Sequence, residues 1–285
     1  MDLAEALTLG KKQLAEAGTP SPSLNAEVLM QRLLGVEKVR LISHSERGLT
    51  PEEEHTYFSW IVRRSRGEPA QYITGHQEFW GLDFEVTSEV LIPRPETEHL
   101  IETVLELNQS PQPQIVDVGT GSGCIAIALA KEIPGARLVA VDQSRAALNV
   151  AARNAERLGV CDRIEFVNGD LLAPLHLKED RAALDFVVSN PPYVPPGDRE
   201  TLAKEVRDHE PPAAIYSPES GPMTLFRRLI RESAPLLRQG GYLVMEIGAG
   251  QKPLLQEEFS VDDWQGLRFV NDLQSIPRVV AVQRR

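Results

Sequence analysis

The stretch IVDVGTGSGCIAIALAKE, residues 115–132, sets three glycines between a short apolar run and an apolar helical pattern. Ile115 to Val118, mostly β-branched around Asp117, reads as a strand. Gly119, Gly121 and Gly123, with Thr120 and Ser122 between them, allow a tight turn and close approach of the backbone to a ligand. The helix opening near Gly123 offers unpaired N–H groups to an anion. The spacing is not that of a dinucleotide fingerprint, because Cys124 stands where the last glycine or alanine belongs. The pattern is instead Asp117-x-Gly-x-Gly-x-Gly, which marks Asp117 and the whole loop as candidate cofactor contacts.

Outward from this loop, strand and helix patterns alternate. The strands read as Ile115 to Val118, Arg137 to Val141, Arg163 to Val167, Leu184 to Ser189, Tyr242 to Ile247, Leu267 to Val270 and Val279 to Gln283. Such alternation predicts an α/β fold, with a mostly parallel seven-stranded sheet covered by helices and a ligand site at the carboxyl ends of the strands. About eight residues join the last two strands, too few for a parallel crossover, so the final strand is expected to be antiparallel. Residues 1–75 read differently, as a small helical bundle. Leu3, Ala6, Leu7, Leu14 and Ala17 recur at helical spacing, Gly35 stops a second helix, and Thr50-Pro51-Glu52-Glu53 is a capping box opening a third. Residues 76–92, containing QEFWGLDFEVT, read as a hairpin linking the bundle to a domain over 93–285.

Three further segments carry candidate chemistry. In LVAVDQS, Asp142 ends the second strand, where a carboxylate accepts ribose hydroxyls or caps a helix starting near Ser144; one residue can do both. In FVNGDLL, Asp170 is placed to take an adenine amino group with Leu171 beside the base, and turn chemistry at Asn168-Gly169 competes with that role. In DFVVSNPPYVPPG, Pro191 and Pro192 must end the fourth strand abruptly and fix the path of the chain beyond it. A polar amide, Asn190, and an aromatic ring, Tyr193, are thereby held at a strand end. Arg94 and Glu98 in IPRPETE are candidates for pairing with each other or contacting substrate, and Glu246 in YLVMEIGAGQ ends a strand on the same edge.

Composition removes other classes. A net charge of −11 opposes attraction to phosphate backbones, and the one basic cluster, Arg63, Arg64 and Arg66, fits the C-terminal end of a helix better than a nucleic-acid patch. Two cysteines and six scattered histidines offer no metal-ligand spacing, so no metal is expected. No apolar run approaches the roughly 18 residues of a membrane span, and MDLAEALTLG lacks the basic start of a signal peptide, so a cytoplasmic location is expected.

With these residues in place, the chain resembles the class I S-adenosylmethionine-dependent methyltransferases, which have a Rossmann-like fold. Asn190-Pro191-Pro192-Tyr193 resembles the mark of members that methylate planar nitrogens. Over nearly its whole length, through EPAQYITGHQEFWGLDFEV, LIPRPETE, DVGTGSGCIAIALA, SNPPYVP and EIGAGQ, the chain is similar to the peptide-chain release factor glutamine methyltransferase family. The resemblance implies S-adenosylmethionine as cofactor and S-adenosylhomocysteine as product. It implies class 1 release factors as protein substrates, methylated on the glutamine amide of their Gly-Gly-Gln loop, and an enzyme working as a monomer. It also implies that Asn190 contacts cofactor and substrate, that Asn190 and the Pro191 carbonyl accept the amide hydrogens, and that Tyr193 stacks on the amide plane. The helical bundle is expected to hold the protein substrate. The alternatives are a nucleic-acid amino methyltransferase with the same four residues, an NAD-dependent oxidoreductase, and a non-catalytic adaptor.

Overall fold

The computed structural model describes residues 1–176 and 184–285. Its helices are α1 (Leu3–Glu16), α2 (Pro22–Leu34), α3 (Lys38–Ser43), α4 (Pro51–Ser65), α5 (Ala70–Thr74), α6 (Glu98–Leu107), α7 (Cys124–Glu132), α8 (Arg145–Arg157), α9 (Ala173–His176), α10 (Lys204–His209), α11 (Pro212–Ile215), α12 (Met223–Ser233) and α13 (Lys252–Gln256). The strands are β1 (His76–Phe79), β2 (Leu82–Glu85), β3 (Gln114–Val118), β4 (Arg137–Asp142), β5 (Ile164–Asn168), β6 (Leu184–Ser189), β7 (Leu237–Glu246), β8 (Trp264–Asn271) and β9 (Pro277–Arg284). The chain forms two compact units: residues 1–76 with 202–209, and residues 77–201 with 210–285.

In the first unit, reciprocal hydrogen bonds between Asp2 and Glu5 cap α1, and Thr50 with Glu53 does the same for α4. The apolar faces of α1, α2 and α4 meet over Leu3, Leu14, Leu29, Met30, Tyr57 and Ile61, all fully buried. Helical spacing over 1–75 does not foretell that 202–209 joins this unit. Arg64, only 5% exposed, explains it: its guanidinium donates to Asn25 Oδ1 at 2.6 Å, to the Glu68 carbonyl at 2.9 Å and to Glu205 of α10 at 2.5 Å. A buried charge needs such partners. With Arg63 paired to Glu68 at 2.8 Å, two of the three clustered arginines are engaged within the unit.

The second unit is a sheet of order β5-β4-β3-β6-β7-β9-β8. Strands β3 to β7 are parallel, and β9 runs antiparallel to both β7 and β8. Alternate residues of β6 face opposite layers: Phe186 and Val188 join the cluster under α6 and α7, and Val187 joins that under α12. Burial on both faces is why β6 reads as a mostly apolar run, with Asp185 as its one charge. The β1–β2 hairpin packs Phe79 and Phe84 into the first of those clusters.

Strand bounds differ from the sequence expectation mainly in β7, which begins at Leu237 rather than Tyr242. The Gly240-Gly241 pair lies inside the strand, at an irregularity between the Leu184–Leu237 and Phe186–Tyr242 pairings. Gly240 takes a φ of +80°, and a Cβ on Gly241 would fall 2.8 Å from the Leu184 carbonyl. Strand β8 is likewise longer, because its ladder with β9 extends to Trp264.

The order reverses at β3, from which the chain goes outward through β4 and β5 on one side and β6 and β7 on the other. Open α/β sheets bind ligands at such a switch point. Val118 and Ser189 are register partners, tied by a 2.8 Å hydrogen bond from Ser189 Oγ to the Val118 carbonyl. The next residues are Gly119 and Asn190, so adjacent strands deliver the glycine loop and the proline motif to one edge.

Candidate active site

A cavity of about 530 Å³ opens at that edge. Gly119, Thr120, Gly121 and Ser122 line it, as do Asp142, Asp170, Leu171, Asn190, Pro192, Thr97 and Arg94. Gly119 and Gly121 have φ of +74° and +56°, and a Cβ on either would meet no protein atom within 4 Å. The space above the loop is thus free for a ligand, and only glycine keeps it so without strain.

Asp117 and Gly123 do not line the cavity; they build the loop from beneath. Asp117 is fully buried, and its Oδ2 accepts from Thr120 Oγ1 at 2.7 Å and from the Ala126 N–H at 3.3 Å. Burial pushes its pKa up to about 7, and Oδ1 has no partner. Gly123 precedes α7 with φ +82° and leaves room for Ala151, whose Cβ would lie 3.0 Å from an added one.

At the end of β4, Asp142 Oδ2 accepts the Gly121 N–H at 2.9 Å and Oδ1 accepts the Ser144 N–H at 2.8 Å. Ser144, not Asp142, caps α8. A carboxylate has about four acceptor positions, so Asp142 keeps capacity for a diol. Its pKa is raised, chiefly by burial. Asp170 is held by Arg228 of α12 at 2.9 and 3.1 Å, and Leu171 sits in the left-handed region at φ +47°, a costly conformation for leucine.

The proline motif is braced by a polar chain whose middle member, Thr97, the sequence does not announce. Asn190 Nδ2 donates to Thr97 Oγ1 at 3.1 Å, and Thr97 Oγ1 donates to Glu246 Oε2 at 2.6 Å. The Tyr193 hydroxyl donates to the other oxygen of Glu246 at 3.2 Å. Glu246 is 2% exposed; burial raises its pKa to about 6, opposed by the hydrogen bonds from Thr97 and Tyr193. Pro191 and Tyr193 do not line the cavity. The Tyr193 ring sits on Gly248, where an added Cβ would lie 2.9 Å from Cδ2, and Gln251 bridges the Gly248 N–H at 2.8 Å to the Tyr193 carbonyl at 3.3 Å. The EIGAGQ segment is thus a cradle for the motif, and Glu246 acts from behind the wall.

Arg94 and Glu98 do not pair. Arg94 binds Glu210, a buried carboxylate that also accepts the Ile92 N–H at 3.1 Å, while Glu98 accepts the Trp80 N–H at 2.8 Å. Each acid is taken by the donor that the fold brings nearest. Thr97, between Glu96 and Glu98, was legible only as the single hydroxyl in an acidic loop start. Asn154 gave no signal: fully buried, it donates to the carbonyls of Glu85 and Ser122 at 2.9 Å each and accepts the Glu85 N–H at 2.8 Å. No cluster of metal-ligating side chains occurs among the described residues. Among them, no helix is long and apolar enough to cross a membrane.

Two family models match: the PrmC N-terminal domain over residues 5–75 and the methyltransferase small domain over residues 96–206. A release factor glutamine methyltransferase of Koribacter versatilis is 45% identical over 281 residues, covering 98% of each chain. The protein of that name from Geobacter sulfurreducens is 40% identical, covering 94% of this chain and 91% of its own. That of Deinococcus radiodurans is 36% identical over 100% of this chain and 99% of its own. Among solved structures, the hMettl16 catalytic domain in complex with MAT2A 3′UTR hairpin 1 has a TM-score of 0.60 at 18% identity, over 95% of this chain and 91% of that one. A human methyltransferase 10 domain containing protein has a TM-score of 0.51 at 21% identity, over 72% and 90%. At these identities the structural likeness shows the fold.

Proposed function

Because the chain belongs to the release factor glutamine methyltransferase family, we propose that it moves a methyl group from S-adenosylmethionine to the side-chain amide nitrogen of the Gly-Gly-Gln glutamine in class 1 release factors. The observation that carries this is the placement of the glycine loop and Asn190 at the ends of paired strands around one cavity. The residues present fit the cofactor. Two glycines border open space, Asp142 retains acceptor capacity for a ribose diol, and Asp170 and Leu171 are available to the adenine. When bound, S-adenosylmethionine supplies an electrophilic methyl group on a sulfonium centre.

The chain's own task is to make an amide nitrogen reactive. That lone pair is delocalised into the carbonyl, so the nitrogen must be oriented and the conjugation weakened. Two acceptors aimed at its two hydrogens do both. Asn190 Oδ1 is the first, since Nδ2 is already committed to Thr97. The family resemblance makes the Pro191 carbonyl the second, although Pro191 itself does not line the cavity; the backbone there is stiffened by two prolines, and misplacement by about 1 Å costs on the order of a hundredfold in rate. Once methylated, the amide nitrogen is strongly acidic and loses its proton to an acceptor or water, so no dedicated base is needed. Tyr193 acts in this scheme by holding the loop through Glu246 and Gln251.

A nucleic-acid amino group is the rival acceptor. The charge of −11 and the engagement of Arg63 and Arg64 in ion pairs work against it. The test is Asn190→Ala: kcat is expected to fall about 10²- to 10³-fold, as for loss of one preorganised polar contact, with cofactor affinity unchanged in titration. Loss of cofactor binding with no separate effect on kcat would make Asn190 a cofactor ligand instead.

A further inference from the structure

Resting on that function, we infer that Thr97 and Glu246 are positioning residues: together they fix which end of the Asn190 amide faces the cavity. An asparagine amide has two nearly isosteric orientations, one presenting an acceptor and the other two donors. Only the acceptor serves a substrate amide nitrogen. Asn190 cannot make that choice by itself, because a threonine hydroxyl next to it can either donate or accept.

The choice is made one step further back. An ionised carboxylate accepts only, and Glu246 Oε2 lies 2.6 Å from Thr97 Oγ1, the length of a charge-assisted O–H···O bond. The single hydroxyl proton of Thr97 is therefore committed to Glu246. What Thr97 shows to Asn190 is a lone pair, and the 3.1 Å contact must be made by Nδ2. Oδ1 is then left for the cavity that Asn190 lines. Thr97 is 2% exposed, so water does not compete for either bond. The second oxygen of Glu246 takes the Tyr193 hydroxyl at 3.2 Å, so one buried acid sets both polar ends of the motif.

Three substitutions in the full-length enzyme test this. Thr97→Val keeps the shape but removes the director; kcat should fall about tenfold, the worth of one lost hydrogen bond, with the KM values for cofactor and release factor nearly unchanged. Thr97→Ser keeps the hydroxyl and should recover most of the rate. Glu246→Gln can donate to Thr97, which frees the hydroxyl to donate to Asn190 Oδ1 and turns the amide; its kcat should fall at least as far as that of Thr97→Val.

A readout independent of turnover is hydrogen exchange of the Asn190 side-chain amide, followed by NMR in enzyme labelled on asparagine nitrogen. The wild type should protect one Nδ2 proton, and Thr97→Val and Glu246→Gln should lose that protection while Thr97→Ser keeps it. Wild-type enzyme that protects this proton yet transfers no methyl to a release factor would refute the proposed substrate while upholding the orientation. Unchanged kcat and exchange in Thr97→Val, or equal losses in the serine and valine variants, would overturn the inference.

Discussion

At the scale of single residues, several groups that face the cavity carry a local sequence signal, and Thr97, which holds Asn190 in place, carries none. Asn190, Asp142 and the glycine loop announce themselves through local pattern, because proline, glycine and a strand-end acid constrain the backbone where they stand. Glu246 reads as a strand-end acid on the same edge, but nothing in the sequence pairs it with Thr97, 149 residues away, until the sheet brings them within 2.6 Å. Their pairing has a pH consequence. Glu246 titrates near 6 and is faced by Thr97, Tyr193, Glu96 and Arg278, with the Cys124 thiol nearby pushed up to about 12 and so neutral. Above pH 6 the carboxylate directs Thr97 as described; below it the protonated acid can donate to Thr97 and reverse the relay. The turnover number is therefore expected to fall as pH drops through about 6. The stability linkage runs the other way. A carboxyl whose pKa is raised by folding contributes stability below its unfolded value, lost as pH rises through 6. A kcat–pH profile measured beside thermal denaturation separates the two: an acid limb that tracks unfolding would count against the relay.

At the scale of elements, the alternation of strands and helices and the antiparallel last strand could be read directly, since periodicity and connection length decide them. The shape of the loops could not. Gly248 reads as one glycine among many, yet a side chain at that position would crowd the Tyr193 ring, because a Cβ would lie 2.9 Å from it. Asn154 shows the same limit. It sits on an otherwise ordinary amphipathic helix, α8, and three of its hydrogen bonds join the β2 strand at Glu85 to the glycine loop at Ser122. Replacing it by alanine strands those buried backbone groups at about 1–3 kcal/mol each. Asn154→Ala should therefore lower the melting temperature by several degrees and weaken cofactor binding more than it lowers kcat. Calorimetry with cofactor titration checks this; unchanged affinity would mean that the loop holds its form without Asn154.

At the scale of the whole molecule, the acidic charge and the full-length similarity to release factor glutamine methyltransferases point to a protein acceptor. In the proposed function, Asn190 to Tyr193 account only for a planar nitrogen, and it is the full-length similarity that points to glutamine. Helical spacing cannot show that residues 202–209 return to the helical unit through the buried Arg64, a partnership fixed by tertiary structure alone. The most direct measurement offers methyl-labelled S-adenosylmethionine with a class 1 release factor, the same factor with its Gly-Gly-Gln glutamine changed to alanine, and structured RNA. Label should appear on the intact factor, vanish with the glutamine and never reach the RNA. Label on RNA with none on the release factor would contradict the account.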